Sequence, residues 1–376
     1  MLPGRAAVAL ALYAVVCAIA LPRYGINDML DELLSWLVAL IGAALIGFKL
    51  GRRSSMITLA VCLSIYCIRL PGNASVRGPR QPPAATIDAN EFYAEVRGHR
   101  VPHLAAVIAA LRPRDLVFLA GDSSLDNKLW IKEWAEAING YEDVLDPPIM
   151  KLDVAYAFNS VLAPDFAAVN AAVEFGTLGE RERRRPAPLL PQDLVVVEQL
   201  RARDVLVISV GANDVISQPT ILTALAVAAQ VFAPRWLVDR GWVPGTAILD
   251  DLFGRRLERY ARRLTAKTMP RAIVVCMIYF PLTLPQHSWA GTALWLLRYD
   301  SSPELLQTAI RGVYERAVRH ITVPGTVVVP LPLFEALNAT LEDDYVHRVE
   351  PSAEGGRKMA ALIARRLMDA LPDSTQ

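Results

Sequence analysis

The first seventy residues contain three long runs of apolar side chains. The runs extend over Ala6 to Leu21, Leu33 to Phe48 and Met56 to Ile68. With its flanking residues, each run approaches the length that a helix needs to cross a bilayer. The pattern predicts a membrane region over 1–70, and a buried helical hairpin is the alternative that it allows. The transmembrane helices are expected at about 6–22, 32–50 and 54–70.

The charges between these runs predict an orientation. Cytoplasmic loops of membrane proteins carry an excess of Lys and Arg. The link between the second and third runs is basic, whereas the link between the first and second is acidic. Everything after residue 70 is therefore expected outside the cytoplasm, in a periplasmic, luminal or extracellular space. A cleaved signal peptide in place of the first run leaves the domain on the same side.

The remainder of the chain alternates between short β-type runs and helical patterns. Residues 71–90 are rich in Pro, Gly and small polar side chains, which is typical of a linker. Strands are predicted at Asp115 to Ala120, Asp204 to Val210, Ala272 to Phe280 and Gly325 to Pro330. Helices are predicted near 126–138, 246–267, 303–321 and 352–370. This alternation predicts an α/β domain over 91–376, with a parallel sheet covered by helices on both faces.

Composition and charge exclude several classes of protein. Of the 376 residues, 53% are hydrophobic and 20% charged, which is too apolar for a disordered chain. Lys and Arg number 39 against 38 Asp and Glu, so no basic field exists to hold nucleic acid. The four cysteines lie in apolar stretches and form neither a disulfide framework nor a Cys-rich zinc motif.

Polar residues follow two of the predicted strands, and a third polar motif lies near the end of the chain. The first strand ends in Gly-Asp-Ser, which places Ser123 on a tight turn where its hydroxyl is accessible. The second ends in Gly-Ala-Asn-Asp, so the Asn213 amide is a candidate neutral donor. Asp344 lies three residues before His347, a spacing that suits a general base and the carboxylate that orients it. Because chemistry gathers at the carboxyl ends of parallel strands, these motifs predict one site.

In this order the motifs resemble those of the GDSL/SGNH hydrolase superfamily. The resemblance covers approximately 112–370 and implies a flavodoxin-like, three-layer α/β/α fold. Residue by residue, Ser123 corresponds to the nucleophile, Asn213 to the oxyanion asparagine, and Asp344 with His347 to the last block. The oxyanion glycine is assigned to Gly176, with Ala172 as the alternative, because the turn has one residue more than the usual spacing.

The resemblance implies a membrane-anchored serine esterase or acyl hydrolase. A triad of Ser123, His347 and Asp344 attacks an ester, and the main-chain N–H groups of Ser123 and Gly176 with the Asn213 amide hold the oxyanion. The expected partners are the membrane and an ester-bearing substrate, either a lipid or an acylated glycan; no nucleic acid, cofactor or metal is expected. An O-acyltransferase or deacetylase of extracytoplasmic glycans remains an alternative, as does a non-catalytic binding protein.

Two further segments are unusual. The stretches 219–238 and 288–297 are apolar insertions beside strand ends, and they suit a lid, an acyl-chain pocket, a surface on the bilayer or core helices. The arginines at 181 and 183–185 alternate with glutamates, which favours a solvated loop.

Overall fold

The computed structural model of the chain describes residues 86–112, 114–184 and 188–371. The three predicted membrane spans and nearly all of the predicted linker lie outside these residues. Within the described ranges, no helix has both the length and the apolar character that crossing a bilayer requires.

A five-stranded parallel sheet forms the centre of the domain. Its strands are β1 (Asp115–Gly121), β2 (Phe166–Asn170), β3 (Val205–Ser209), β4 (Ala272–Met277) and β5 (Val327–Pro332). The strand order is β2-β1-β3-β4-β5, which is the flavodoxin-like arrangement. The four predicted strands and the parallel sheet are confirmed, and β2 is a strand that the hydrophobic pattern alone did not indicate.

Alternate side chains of these strands enter two hydrophobic cores. Val117 and Val207 face a core that includes helix residues Phe158 and Met359, whereas Phe118 and Ile208 face a second core on the opposite side. Strands β3 and β4 are fully buried because helices cover both faces of the sheet. The domain therefore has three layers, with the strand ends left as the place where polar side chains meet.

Thirteen α-helices lie within the described residues. In chain order they are α1 (Ala89–Ala94), α2 (Val101–Leu111), α3 (Val154–Leu162), α4 (Leu178–Arg183), α5 (Pro191–Gln199), α6 (Ala212–Val215), α7 (Ile221–Phe232), α8 (Arg235–Asp239), α9 (Thr246–Asp251), α10 (Leu257–Leu264), α11 (Gly291–Leu296), α12 (Pro303–Arg316) and α13 (Ala353–Ala370). A π-helical turn, Leu252–Arg256, joins α9 to α10. These helices confirm the predictions near 246–267, 303–321 and 352–370.

The helix predicted near 126–138 is wrong. Turns follow Ser123, and Trp134–Glu136 instead forms a short antiparallel strand pair with Ile149–Lys151. Polar side chains of this segment form tertiary hydrogen bonds instead. Asn127, for example, donates to the carbonyl of Pro351 at 2.9 Å and accepts from the N–H of Val154 at 2.9 Å.

The folded domain begins before residue 91. Ile87–Asp88 pairs in parallel with Leu145–Asp146, and the Asp88 carboxylate caps α1 by accepting from the N–H groups of Asn90 and Glu91. The last residues of the predicted linker therefore belong to the domain.

The arginine-rich segment is anchored in the core at one end. Arg181 is 1% exposed, forms an ion pair with Asp193 at 2.8 Å and donates to the carbonyl of Gly121 at 2.8 Å. The Tyr260 hydroxyl completes the cluster by donating to Asp193 at 2.6 Å. The prediction of a solvated loop is therefore wrong for Arg181, while Arg183 and Arg184 are exposed.

We expect Arg181→Leu to lower the free energy of unfolding by about 3–5 kcal/mol, because it leaves the Asp193 carboxylate buried without a cation. The matched control is Arg183→Leu, which changes an exposed arginine on the same helix and is expected to stay within about 0.5 kcal/mol. Urea unfolding of the two variants measures the difference. Equal, small effects would mean that Asp193 does not depend on Arg181.

Candidate active site

The turn after β1 presents Ser123 to a cavity. Gly121 has φ +147, and a Cβ there would overlap the carbonyl oxygen of Ser209 at the end of β3. Only glycine therefore allows the two strand ends to approach so closely. The N–H of Asp122 donates to that same carbonyl at 2.9 Å. This turn places Ser123, which is 9% exposed, at the carboxyl edge of the sheet.

Asp122 ties the nucleophile turn to the strand beside it. Its carboxylate accepts from the N–H and the hydroxyl of Ser124, at 3.1 and 2.7 Å, and from the N–H of Gly211 at 3.2 Å. Burial raises the pKa of Asp122 to about 6, although these hydrogen bonds favour the ionised form and oppose the rise. The Ser124 hydroxyl also lies 2.6 Å from that of Ser209, so Ser124 supports the turn and Ser123 is left to face the cavity.

The side chain that faces the Ser123 hydroxyl is Glu350. This carboxylate is 1% exposed and lines the same cavity as Ser123 and Trp289, whose side chains interact with it and favour its ionised form. Its Oε2 atom has no hydrogen-bond partner among the described residues. Burial raises the pKa of Glu350 to about 8, and these two interactions only partly oppose that rise. A carboxylate with a pKa in this range is suited to accept a proton near neutral pH.

A second buried carboxyl group, Glu174, interacts electrostatically with Glu350. The indole N–H of Trp130 donates to Glu174 Oε1 at 3.1 Å, and Oε2 has no partner among the described residues. Burial, followed by the charge of Glu350, raises the pKa of Glu174 well above its ordinary value. Like charges in a buried site oppose each other, so the two carboxyl groups do not both ionise readily.

A buried ion pair fixes Glu174 in place. Asp126 Oδ2 accepts from the N–H groups of Glu174 and Gly98, at 2.7 and 2.8 Å. Its other oxygen accepts from the ammonium of Lys128 at 2.5 Å, and both side chains are almost completely buried. The charge of Lys128 therefore lies near the carboxyl pair and favours its ionised form.

The predicted triad of Ser123, His347 and Asp344 is not assembled. The carboxylate of Asp344 accepts instead from the ammonium of Lys358 at 2.5 Å and from the N–H of Asn338 at 2.8 Å. His347 Nδ1 lies 3.3 Å from the carbonyl oxygen of His287. The two predicted partners therefore face other groups.

A short hairpin explains this arrangement. Tyr345–Val346 pairs antiparallel with Glu350–Pro351, which puts His347 on the intervening loop with φ +51. The His347 ring packs against Trp130 with a centroid distance of 5.0 Å. The returning strand carries Glu350 back into the cavity. The residue on the returning strand, rather than the one on the loop, therefore reaches Ser123.

Asn213 lies where the sequence predicts, at the start of α6. Gly211, with φ +124, makes the turn after β3, and a Cβ there would lie 2.7 Å from the ring of Phe253. The hydroxyl of Ser217 donates to Asn213 Oδ1 at 2.7 Å, which fixes the amide oxygen. The NH₂ group is 3.4 Å from the carbonyl of Gly176, and Asn213 lines the cavity with Ser123. This amide can donate to an oxyanion beside Ser123.

Gly176, the predicted main-chain donor, is already engaged. Its N–H donates to the carbonyl of Val173 at 2.9 Å, and the N–H of the alternative, Ala172, donates to Asn170 Oδ1 at 3.1 Å. The residue between them with a left-handed conformation is Phe175, at φ +57. In the described part of the chain its N–H has no acceptor, and its ring contacts Trp289 with a centroid distance of 5.8 Å. The Phe175 N–H is therefore the group of this turn that is left free to donate to another partner.

We expect Asn213→Ala to lower kcat for ester hydrolysis by about 10²–10³-fold with little change in KM, because a donor to the oxyanion acts in the transition state. Ser217→Ala is the matched control, since it removes only the hydroxyl that fixes the amide, and its effect should be much smaller. Steady-state kinetics of both variants measure this. A change confined to KM would make Asn213 a substrate-binding residue.

The cavity beside Ser123 has a volume of about 80 Å³ and mainly apolar walls. Both apolar insertions contribute to it. Val227 and Gln230 come from the first insertion, and Trp289 and Leu297 come from the second. Both insertions therefore line a pocket, which is one of the roles that their apolar sequences allow.

Comparisons with known proteins find similarity only among solved structures. No protein-family model and no curated protein matches the chain, whereas the solved structures similar to it include lipases, arylesterases and acetylesterases.

Three of these solved structures illustrate the likeness. The extracellular lipase of Streptomyces rimosus is 12% identical, with 68% of this chain and 99% of that chain covered at a TM-score of 0.37. The native aryl esterase of M. smegmatis is 14% identical, with 68% and 100% covered at 0.36. The carbohydrate acetylesterase Est24 of Sinorhizobium meliloti is 13% identical, with 68% and 99% covered at 0.34.

Proposed function

We propose that the chain is an SGNH-type serine hydrolase of ester bonds in which Ser123 is the nucleophile and Glu350 is the general base. One observation carries the proposal: the Ser123 hydroxyl, the buried Glu350 carboxylate and the Asn213 amide line one cavity at the carboxyl edge of a parallel sheet. A nucleophile, a base and an oxyanion donor are the three groups that acyl transfer needs.

Glu350 transfers the protons of both half-reactions. Its carboxylate takes the proton of the Ser123 hydroxyl while Oγ bonds to the ester carbonyl carbon, and the oxyanion accepts from Asn213 and from the N–H groups of Ser123 and Phe175. The carbon–oxygen bond to the alcohol then breaks, and Glu350 protonates the departing oxygen. Water repeats the sequence on the acyl-enzyme, giving its proton to Glu350, and the free acid leaves as Ser123 recovers its hydrogen.

The surroundings of Glu350 make it a stronger base when it is ionised. Burial, with the nearby charges of Asp122 and Asp126, keeps the pKa of Glu350 above that of an exposed carboxyl group. Burial and the charge of Glu350 likewise raise the pKa of Glu174, so Glu174 is the carboxyl group of the two that more readily stays protonated.

We further propose that the apolar runs of the first seventy residues anchor the enzyme, with the catalytic domain outside the cytoplasm. The apolar runs and the basic link between the second and third support this. The substrate is then an ester at or beyond the membrane surface, a lipid or an acylated glycan. Fusions after residue 80 to reporters active on only one side of the membrane test the orientation, and cytoplasmic activity would contradict it.

The function is tested by treating the purified full chain with a fluorophosphonate and locating the adduct by peptide mass spectrometry. The expected adduct is on Ser123, because the probe needs an activated hydroxyl with an oxyanion site beside it. Ser124→Ala, which alters the adjacent serine, should still be labelled. An adduct on another residue, or none on a folded protein, would contradict the proposal.

A further inference from the structure

Apolar side chains from several parts of the chain line the cavity beside Ser123. They come from α6 and the residue after it, from α7, from the segment 246–256 and from α12, among others. Representative aliphatic and aromatic members of the wall are Val215, Ile216, Val227, Leu249, Phe253 and Ile310. All but Ile216 are buried, so these side chains enclose the space rather than forming part of the outer surface.

Few polar side chains line the cavity apart from those of the proposed chemistry and the turn that carries Ser123. Ser123, Asn213 and Glu350 are the residues to which the chemistry is assigned. Gln230 is the polar residue that α7 contributes, and its amide already donates to the Thr246 hydroxyl at 3.0 Å. The Tyr279 hydroxyl is also engaged, because it donates to the carbonyl of Val349 at 2.7 Å.

The mainly apolar wall favours one half of an ester, the acyl half or the alcohol half, as the group that occupies the cavity. A sugar or other hydroxylated group placed among these side chains would lose its hydrogen bonds to water without replacement, which is costly. A hydrocarbon chain has no such loss and gains from each methylene that leaves water. The alcohol half, in contrast, can remain at the open side of the site, where the attacking hydroxyl and its polar partners lie.

We propose that this cavity binds the acyl chain of the substrate, and that the substrate is an ester of an unbranched aliphatic acid longer than acetate. The inference rests on the proposed function, because the acyl chain enters the cavity only if Ser123, which lines it, attacks the ester carbonyl. Each additional methylene that fits the cavity is expected to raise kcat/KM by about fourfold. The gain ends where the chain exceeds the cavity.

The test is the chain-length profile of kcat/KM for p-nitrophenyl esters from acetate to dodecanoate. Two substitutions should move the optimum in opposite directions. Val227→Phe fills the cavity and should favour shorter chains, whereas Val313→Ala enlarges it and should favour longer ones. Leu225→Phe, on the exposed face of the same helix as Val227, is the matched control and should leave the profile unchanged.

A wild-type profile that is highest for acetate, or an optimum that ignores both substitutions, would overturn the proposal. Its failure is distinguishable from failure of the proposed function. Thermal unfolding of the inactive Ser123→Ala protein with acetate or hexanoate reports binding without chemistry. Hexanoate should raise Tm more than acetate, and Val227→Phe should abolish the difference. Equal shifts would overturn the acyl pocket even if Ser123 is labelled, and a hexanoate shift without labelling would contradict only the hydrolase.

Discussion

Replacing Glu350 with Gln is expected to lower kcat for ester hydrolysis by roughly 10²–10⁴-fold, the usual contribution of a general base. Glutamine has nearly the same shape and can still accept a hydrogen bond from Ser123, but it cannot take the proton. His347→Ala is the matched control, because it removes the base that the sequence predicted. Its side chain contacts Trp130 and the carbonyl of His287, so kcat should change by no more than about threefold.

The stability of Glu350→Gln separates loss of chemistry from loss of fold. Burial raises the pKa of Glu350 from 4.5 to about 8 on folding. Between these values the folded state holds a proton that the unfolded state has released, so the free energy of unfolding falls as pH rises. The Gln variant is neutral at every pH and should be more stable than wild type, by a margin that grows from pH 5 to pH 8. An inactive and destabilised variant would contradict this account of Glu350.

Ser123→Ala is expected to lower kcat by roughly 10⁴–10⁶-fold, because it removes the nucleophile of a unit whose members act together. The side chain is small and lies at a turn, so the fold should be retained. Ser124→Ala loses bonds to Asp122 and Ser209, and should reduce stability while keeping labelling of Ser123.

The double variant of Ser123 and Glu350 is the sharper measurement. If the two side chains act in one step, Ser123→Ala with Glu350→Gln should be no less active than Ser123→Ala alone. Additive losses would show that Glu350 serves a separate purpose. Single-turnover assays at high enzyme concentration have the range that such low rates require.

The sequence predicts correctly which polar residues follow the ends of the strands. A buried strand that is followed by a polar turn is a strong local signal. Ser123 and Asn213 follow β1 and β3, and the parallel sheet brings those ends together. The assignment of Asp344 and His347 to the triad stays a prediction: in the structure these side chains contact other groups, because spacing along the chain does not reveal the hairpin that carries them. Glu350 had one available signal: it lies directly before the Pro-Ser pair that starts α13, on the strand that returns toward the sheet.

Two further differences between sequence and structure have the same physical origin. Glycine is the usual residue of an oxyanion turn, which points to Gly176, yet Phe175 holds the left-handed conformation here and leaves its own N–H without an acceptor among the described residues. The charged neighbours of Arg181 predict a solvated loop. Only the tertiary structure shows that, of the arginines in this segment, Arg181 is the one that pairs with Asp193.

The rate of fluorophosphonate labelling of Ser123 as a function of pH tests the central claim most directly. The base must be ionised to act, so the rate should rise with pH and level off above about 8, the pKa of Glu350. His347→Ala should give the same curve, and Glu350→Gln should be slow at every pH. An inflection near the ordinary imidazole pKa of about 6.5, present in wild type and absent from His347→Ala, would contradict the assignment of Glu350 as the base.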